Sequence, residues 1–152
     1  AYEFPADALV QALKFRGELA LAPLLAALLA ERLRAERVDL VVPVPLSAQR
    51  LRRRGYNQAV EIARHLPGAS LELARCERTR DAPPQIELPY EARRRNVRGA
   101  FRCDGSLDGA TVAVVDDVMT TGATLDEIAR TLKGAGAARV VNWVVARTMP
   151  HA

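Results

Sequence analysis

Cysteine is scarce. Cys76 and Cys103 are the only two, they lie far apart, and they form no C-x-x-C pair. Neither a four-ligand zinc site nor a disulfide framework is expected from them, and a reduced, cytoplasmic setting is the default. Aromatic residues make up 5% of the chain, which supplies a stacking platform for single-stranded nucleic acid poorly. Long hydrophobic runs are missing too: the run Leu19–Ala30 is too short to cross a bilayer and contains Pro23. No signal-peptide pattern is present. No G-x-x-x-x-G-K-[ST] occurs, which removes the P-loop nucleotide binders. Gly134-Ala-Gly136 is no dinucleotide fingerprint, because it closes a helix instead of opening one and no third glycine follows. No internal repeat is visible.

What remains is ordinary globular usage, 49% hydrophobic and 26% charged over 152 residues, enough for one domain with a proper core. The net charge of +4 is carried by arginine and favours anionic partners, phosphates or nucleic acid, without choosing between them.

The organising stretch is Val112-Ala-Val-Val-Asp-Asp-Val-Met-Thr-Thr-Gly-Ala-Thr-Leu125. Val112 to Val115 read as a strand buried on both faces. Asp116 and Asp117 fall where that strand is expected to end. A loop of small and hydroxylated residues, Thr120 to Thr124, follows, and Leu125, Ile128, Ala129 and Leu132 then recur at helical spacing, so a helix is predicted over 124–135. Strand, short loop and helix N-terminus in that order make an anion pocket: first-turn N–H groups lack partners and carry about half a positive charge. Gly122 permits close approach or positive φ, and the threonine hydroxyls add donors. The acid pair would repel a phosphate, so it faces neutral hydroxyls or a cation. Phosphate at one end and a diol at the other describe a ribose 5-phosphate.

Elsewhere the chain alternates between helix and strand. Residues 1–36 are expected to form two helices, the first closed by Gly17 and the second, over 18–36, carrying Pro23 in its first turn. Leu40-Val-Val-Pro-Val-Pro-Leu46 reads as a strand that must end near Val42, because Pro43 and Pro45 cannot donate to a central ladder. A basic run, Ser47–Arg54, leads through Gly55-Tyr-Asn-Gln58 into a helix with Ala59, Ile62, Ala63 and Leu66 inward. Four guanidiniums there, on Arg50, Arg52, Arg53 and Arg54, repel one another unless an anion relieves them. Ala69–Leu73 reads as a strand. Residues 75–85, with Arg78, Arg80 and Pro83-Pro84, read as a mobile loop able to act as a lid. A short helix over 89–97 and a last buried strand over 140–145 complete the pattern, an α/β fold with a parallel sheet.

The Asp116–Thr124 stretch resembles the phosphoribosyl pyrophosphate (PRPP) signature of type I phosphoribosyltransferases. Adding Pro43-Val-Pro45-Leu, Arg50, Arg54-Gly-Tyr-Asn-Gln58, Gln85, Arg93-x-x-Asn96 and Gly99-Ala-Phe101, the chain from about Tyr2 is similar to the ComF/GntX family of competence-associated phosphoribosyltransferases. That resemblance implies one domain over 1–152, a Rossmann-like parallel sheet flanked by helices, with N-terminal helices over 1–36 and a flexible loop and small hood over 75–101. It implies Asp116 and Asp117 on the ribose hydroxyls, and on Mg²⁺ only indirectly through Mg-PRPP. Thr120, Thr121, Gly122, Ala123 and Thr124 would wrap the 5′-phosphate. Val44, Pro45 and Leu46 would form the pyrophosphate loop, with Arg50 and Arg54 beside it. Arg78 and Arg80 would close over the pyrophosphate and share the catalytic role with the two aspartates. The activity implied is transfer of phosphoribose to a nucleobase-like acceptor with release of pyrophosphate, a step of nucleotide metabolism linked to the use of external DNA. A homodimer is compatible with it.

The resemblance has gaps. The N-terminal four-cysteine zinc module common in the family has no counterpart in these residues. Thr120 stands where 6-oxopurine transferases carry an Asp proposed as general base, which argues against hypoxanthine or guanine as acceptor. The first rival keeps the fold and drops the chemistry: a PRPP- or single-stranded-DNA-binding accessory protein of DNA uptake. The second, a phospho-acceptor receiver domain, fits less well, since there the acid pair follows the first strand and a separate Asp and Lys come later.

Overall fold

The computed structural model describes residues 2–33, 36–68, 70–73, 75–80 and 95–148. Its centre is a four-stranded parallel sheet in the order β2-β1-β5-β6, made of β1 (Leu40–Pro43), β2 (Ser70–Leu71), β5 (Thr111–Met119) and β6 (Arg139–Arg147). Val112, Ala113, Val114 and Val115 are all fully buried, as a strand covered on both faces requires. Alternate residues serve opposite layers. Val112 and Val114 pack with Val42 against Leu125, Ile128 and Leu132 of α5 (Ala123–Gly134). Ala113 and Val115 face the other way, onto Leu13 of α1 (Ala6–Arg16), Leu25 and Leu29 of α2 (Ala22–Arg32) and Ile62 of α4 (Gln58–Ala63). The parallel α/β architecture is therefore as expected.

Local chemistry sets most of the boundaries. Gly17 closes α1 with φ 70°, and Pro23 sits in the first turn of α2. The expected single helix over 18–36 is shorter, because Leu19–Leu21 form a 3₁₀ turn and α2 ends at Arg32. The basic run folds as a helix of its own, α3 (Ala48–Arg54), which Ser47 starts by accepting a bond from the Arg50 amide at 3.3 Å. β1 runs one residue past its predicted end; Pro43 costs nothing there, since Val44 takes over the ladder with an N–H bond to the Val115 carbonyl at 2.9 Å.

Two expectations need correcting. The loop reading of 75–85 fails at its start: β3 (Cys76–Arg78) pairs antiparallel with β4 (Phe101–Cys103). This register puts Cys76 opposite Cys103, and the two form a disulfide across 27 residues of chain. Spacing could not foresee it, because only the hairpin-like return of the hood brings the two together. Residues 81–94, which include the Pro83-Pro84 turn, Gln85, Arg93 and most of the expected helix, lie outside the described residues; residues 95–97 are helical.

The hood is pinned to α5 by Glu127. Its carboxylate accepts the Gly99 N–H at 2.6 Å and pairs with Arg130, so both interactions hold its pKa below the usual carboxylate value, the Arg130 bond contributing most. A depressed pKa in the folded state means stabilisation present above the unfolded pKa of about 4.3 and lost as pH falls through the folded value. Glu127→Gln is expected to lower stability by about 1–2 kcal/mol at pH 7, roughly 2–8 °C in Tm, and to flatten the acid limb of a plot of Tm against pH.

Candidate functional site

β5 carries the acid pair further than its hydropathy indicated. The strand does not stop at Val115 but continues to Met119, with Asp116 opposite Val144 of β6. As successive residues of a strand the two aspartates leave opposite faces, but their carboxyl groups remain close enough for that of Asp117 to act on that of Asp116. Asp116 shares its face with Val114 and lines a small concavity of about 40 Å³ with Val118, Met119 and the loop from Thr120 to Leu125. Asp117 shares the other face with Val115. There it is 2% exposed, and its Oδ2 lies 3.1 Å from Lys14 Nζ at the end of α1. The contact is ionic: no hydrogen bond of good geometry reaches that oxygen. Each carboxylate also accepts the next backbone amide, Asp117 N–H to Asp116 at 2.9 Å and Val118 N–H to Asp117 at 2.9 Å. Burial, and then the adjacent Asp117 carboxylate, push the pKa of Asp116 well above the usual carboxylate range.

The loop leaves several of its amides without a partner among the described residues. Gly122 takes φ 81° at the N-cap of α5, supplies no side-chain cap, and leaves Asp126 N–H to make the first bond to its carbonyl at 2.9 Å. The Ala123 amide reaches Thr121 Oγ1 only at 3.5 Å. Among the described residues, the amides of Thr121, Gly122, Thr124 and Leu125 have no acceptor. The residues that carry these four N–H groups, the N-terminus of α5 and three threonines thus line the concavity that Asp116 borders.

The turn after β1 stands beside it. Val44 is buried and bonded to Val115, the residue before Asp116, which sets Val44-Pro45-Leu46 next to the acid pair. Asn57 holds the turn by donating Nδ2 to the Val44 carbonyl at 2.9 Å, while its Oδ1 caps α4 through the Ala59 amide at 3.0 Å. Arg54 donates to Gln58 Oε1 at 2.5 Å and lies 5.9 Å above the Phe15 ring. Tyr56 donates its hydroxyl to the Leu13 carbonyl. The Arg54–Gln58 motif is therefore a clamp joining the turn after β1, α3 and the end of α1. Arg78 and Arg80 belong to the other unit: Arg78 stacks 5.5 Å from Phe101 and donates to the Arg80 carbonyl, and Arg80 donates to the Arg98 carbonyl.

Lys14 is the residue the sequence reading missed. Lys14-Phe15-Arg16-Gly17 has the form of a helix C-terminus, and a basic residue there is ordinary. The lysine's separation of about a hundred residues from Asp117 gave no local signal of their pairing.

This topology, with its strand–loop–helix unit from β5 to α5, is that of a type I phosphoribosyltransferase fold. The "Phosphoribosyl transferase domain" family matches residues 20–149. A solved purine phosphoribosyltransferase from Pyrococcus horikoshii superposes with TM-score 0.51 at 23% identity, covering 84% of this chain and 82% of that one. The regulatory enzyme of purine biosynthesis superposes with TM-score 0.56 at 26% identity, over 86% of this chain and 26% of that one. Among curated proteins, DNA utilization protein YhgH of Salmonella typhi is 38% identical over 97% of this chain and 70% of its own length. Competence protein F of Haemophilus influenzae is 34% identical over 96% and 69%. The chain belongs to the phosphoribosyltransferase domain family, in its competence-associated ComF branch. No helix among the described residues is long and apolar enough to cross a membrane.

Proposed function

We propose that the protein binds Mg-PRPP and transfers its phosphoribosyl group to a nucleobase-like acceptor, releasing pyrophosphate, in a pathway of DNA utilisation. The observation that carries this reading is the row of unbonded amides at Thr121, Gly122, Thr124 and Leu125 beside Asp116. A 5′-phosphate satisfies those donors, and Asp116 is within the same concavity for a ribose hydroxyl. Asp117 completes the diol site by exchanging its contact with Lys14 for the second hydroxyl. The Val44–Leu46 turn and the arginines of α3, Arg50 and Arg54, receive the pyrophosphate.

No three His, Cys, Asp or Glu side chains cluster among the described residues, so a divalent cation would draw most of its ligands from the substrate and water. The acid pair within β5 fits that arrangement, in which the carboxylates would hold the sugar and the substrate would carry the metal. When bound, Mg²⁺ supplies charge neutralisation at the pyrophosphate oxygens. As the C1–O bond breaks, C1 becomes oxocarbenium-like and the electron pair leaves with pyrophosphate. Arg50 and Arg54, with Arg78 and Arg80 when the hood closes, stabilise that leaving charge. Keeping water out falls to the hood.

Calorimetric titration with PRPP and magnesium tests the reading. The expected result is one site per chain, with pyrophosphate competing and ribose 5-phosphate binding more weakly. No heat and no competition at millimolar PRPP would remove the proposal. The arginine-rich surface also fits the accessory-protein alternative; DNA binding with a steep salt dependence, together with no PRPP binding, is the result that would favour it.

A further inference from the structure

A second concavity, about 670 Å³, opens between the C-terminal ends of α1 and α3. Among the described residues its walls carry five cations, Lys14, Arg16, Arg50, Arg53 and Arg54, and no carboxylate. Basic last turns are ordinary complements to helix dipoles. Here, though, two such turns face each other across one hollow, which favours an anion placed between them. Asp117 compensates Lys14 at 3.1 Å and Glu18 compensates Arg16 at 3.1 Å, both from outside the lining. Arg53 has no acidic partner among the described residues.

The hollow also has an aromatic wall. Phe15 is 72% exposed, and Arg54 lies over its ring at 5.9 Å. Tyr56 is anchored through its hydroxyl to Leu13, so its ring is held in place. Pyrophosphate alone gives no reason for an exposed phenylalanine inside a ring of guanidiniums. A planar conjugated anion uses both features, its ring stacked on Phe15 and its charge on the arginines. The volume is that of a small-molecule site, closed by two helix ends, and a polynucleotide track would be longer.

We infer that this hollow binds a planar aromatic anion, such as a nitrogen-heterocyclic carboxylate or a nucleobase bearing an acidic group. Resting on the phosphoribosyl reading above, that ligand is the acceptor, and Lys14, which Asp117 releases when it takes the sugar hydroxyl, borders its site. In the transfer a ring nitrogen forms the bond to C1 while the C1–O bond to pyrophosphate breaks. The electron pair departs with pyrophosphate, and a proton on the attacking nitrogen, where there is one, passes to solvent.

Matched probes test the inference on the whole chain: orotate against uracil, and benzoate against benzamide, each titrated with and without Mg-PRPP. The acidic member of each pair is expected to bind at least about tenfold more tightly, the difference a single charge-assisted bond supplies. Arg53→Gln and Phe15→Leu, both on the surface, are each expected to weaken orotate about tenfold and leave Mg-PRPP affinity unchanged. Equal binding of acid and neutral partner overturns the inference, as does orotate binding unaffected by either substitution. Binding of oligonucleotides but of neither small acid also overturns it. The two readings fail separately: Mg-PRPP binding without orotate binding removes only this inference, whereas orotate binding without Mg-PRPP binding leaves the hollow as a site and removes its role as acceptor site.

Discussion

Gly122→Val is expected to reduce affinity for Mg-PRPP at least about a hundredfold, the loss of two charge-assisted hydrogen bonds to phosphate. Two separate observations lead there. Gly122 has φ 81°, a conformation that costs an L-residue about 1–2 kcal/mol and a β-branched one more. A Cβ at this position would also lie 3.0 Å from Met119 Cε. The methionine end can move, so the clash is the smaller part and the strain the larger. Relief of that strain rotates the peptides at the N-cap of α5, turning the Gly122 and Thr124 amides away from the concavity. Global stability should fall modestly, by about 2–4 °C in Tm for each kcal/mol of strain. Calorimetry and a thermal melt on the same sample separate the two effects. Affinity within threefold of wild type would mean that this loop does not hold the phosphate. Gly122→Ala with Met119→Ala serves as control: it keeps the strain and removes the contact, so it should still bind poorly.

Legibility in the sequence followed the range of the physics. The β5–loop–α5 unit was readable because its signals are local: four buried residues, two acids, a glycine and a helical period within one stretch. Even there the strand end was misjudged. Val118 and Met119 continue the ladder beside β6, and the favourable pairing with Ala146 and Arg147 is invisible in the one segment. α3 hid behind its charges, since a run of arginines reads as solvated surface until Ser47 and Gly55 are recognised as its two ends. The hood was hardest. Cys76 and Cys103 carry no spacing signal, and β3 holds only three residues, too few for periodicity to register. The opposite orientation of Asp116 and Asp117 did follow from strand alternation, but only once β5 was seen to run through them. Lys14 was beyond reach, because nothing near it in sequence names its partner.

That orientation makes the two aspartates unequal, and Asp116→Asn and Asp117→Asn are expected to fail in different ways. Either variant should weaken Mg-PRPP by about ten- to a hundredfold, since each removes a charged acceptor for a ribose hydroxyl. Their effects on folding differ in sign. Asp117 is the buried partner of Lys14, and its neutralisation leaves an ammonium that is 29% exposed facing an amide. A fully buried broken pair costs about 3–5 kcal/mol, so this half-open one should cost less, on the order of 1–3 kcal/mol. Asp116 is the opposite case. Its pKa is raised in the folded protein, so the folded state holds the proton more tightly than the unfolded chain. Its contribution to stability is therefore greatest at low pH and is lost as pH rises through the raised folded value. Asp116→Asn removes that loss and should melt at or above the wild-type temperature at pH 8, while Asp117→Asn melts below it. The same proton appears in binding: a diol is best accepted by the ionised carboxylate, so wild-type affinity for Mg-PRPP should fall by up to about tenfold per pH unit below the pKa of Asp116. Calorimetry in buffers of different ionisation enthalpy should register release of that proton, and Asp116→Asn should release none. Equal proton release from wild type and Asp116→Asn would detach Asp116 from the sugar, and a destabilised Asp116→Asn at pH 8 would show that its carboxylate supports the fold.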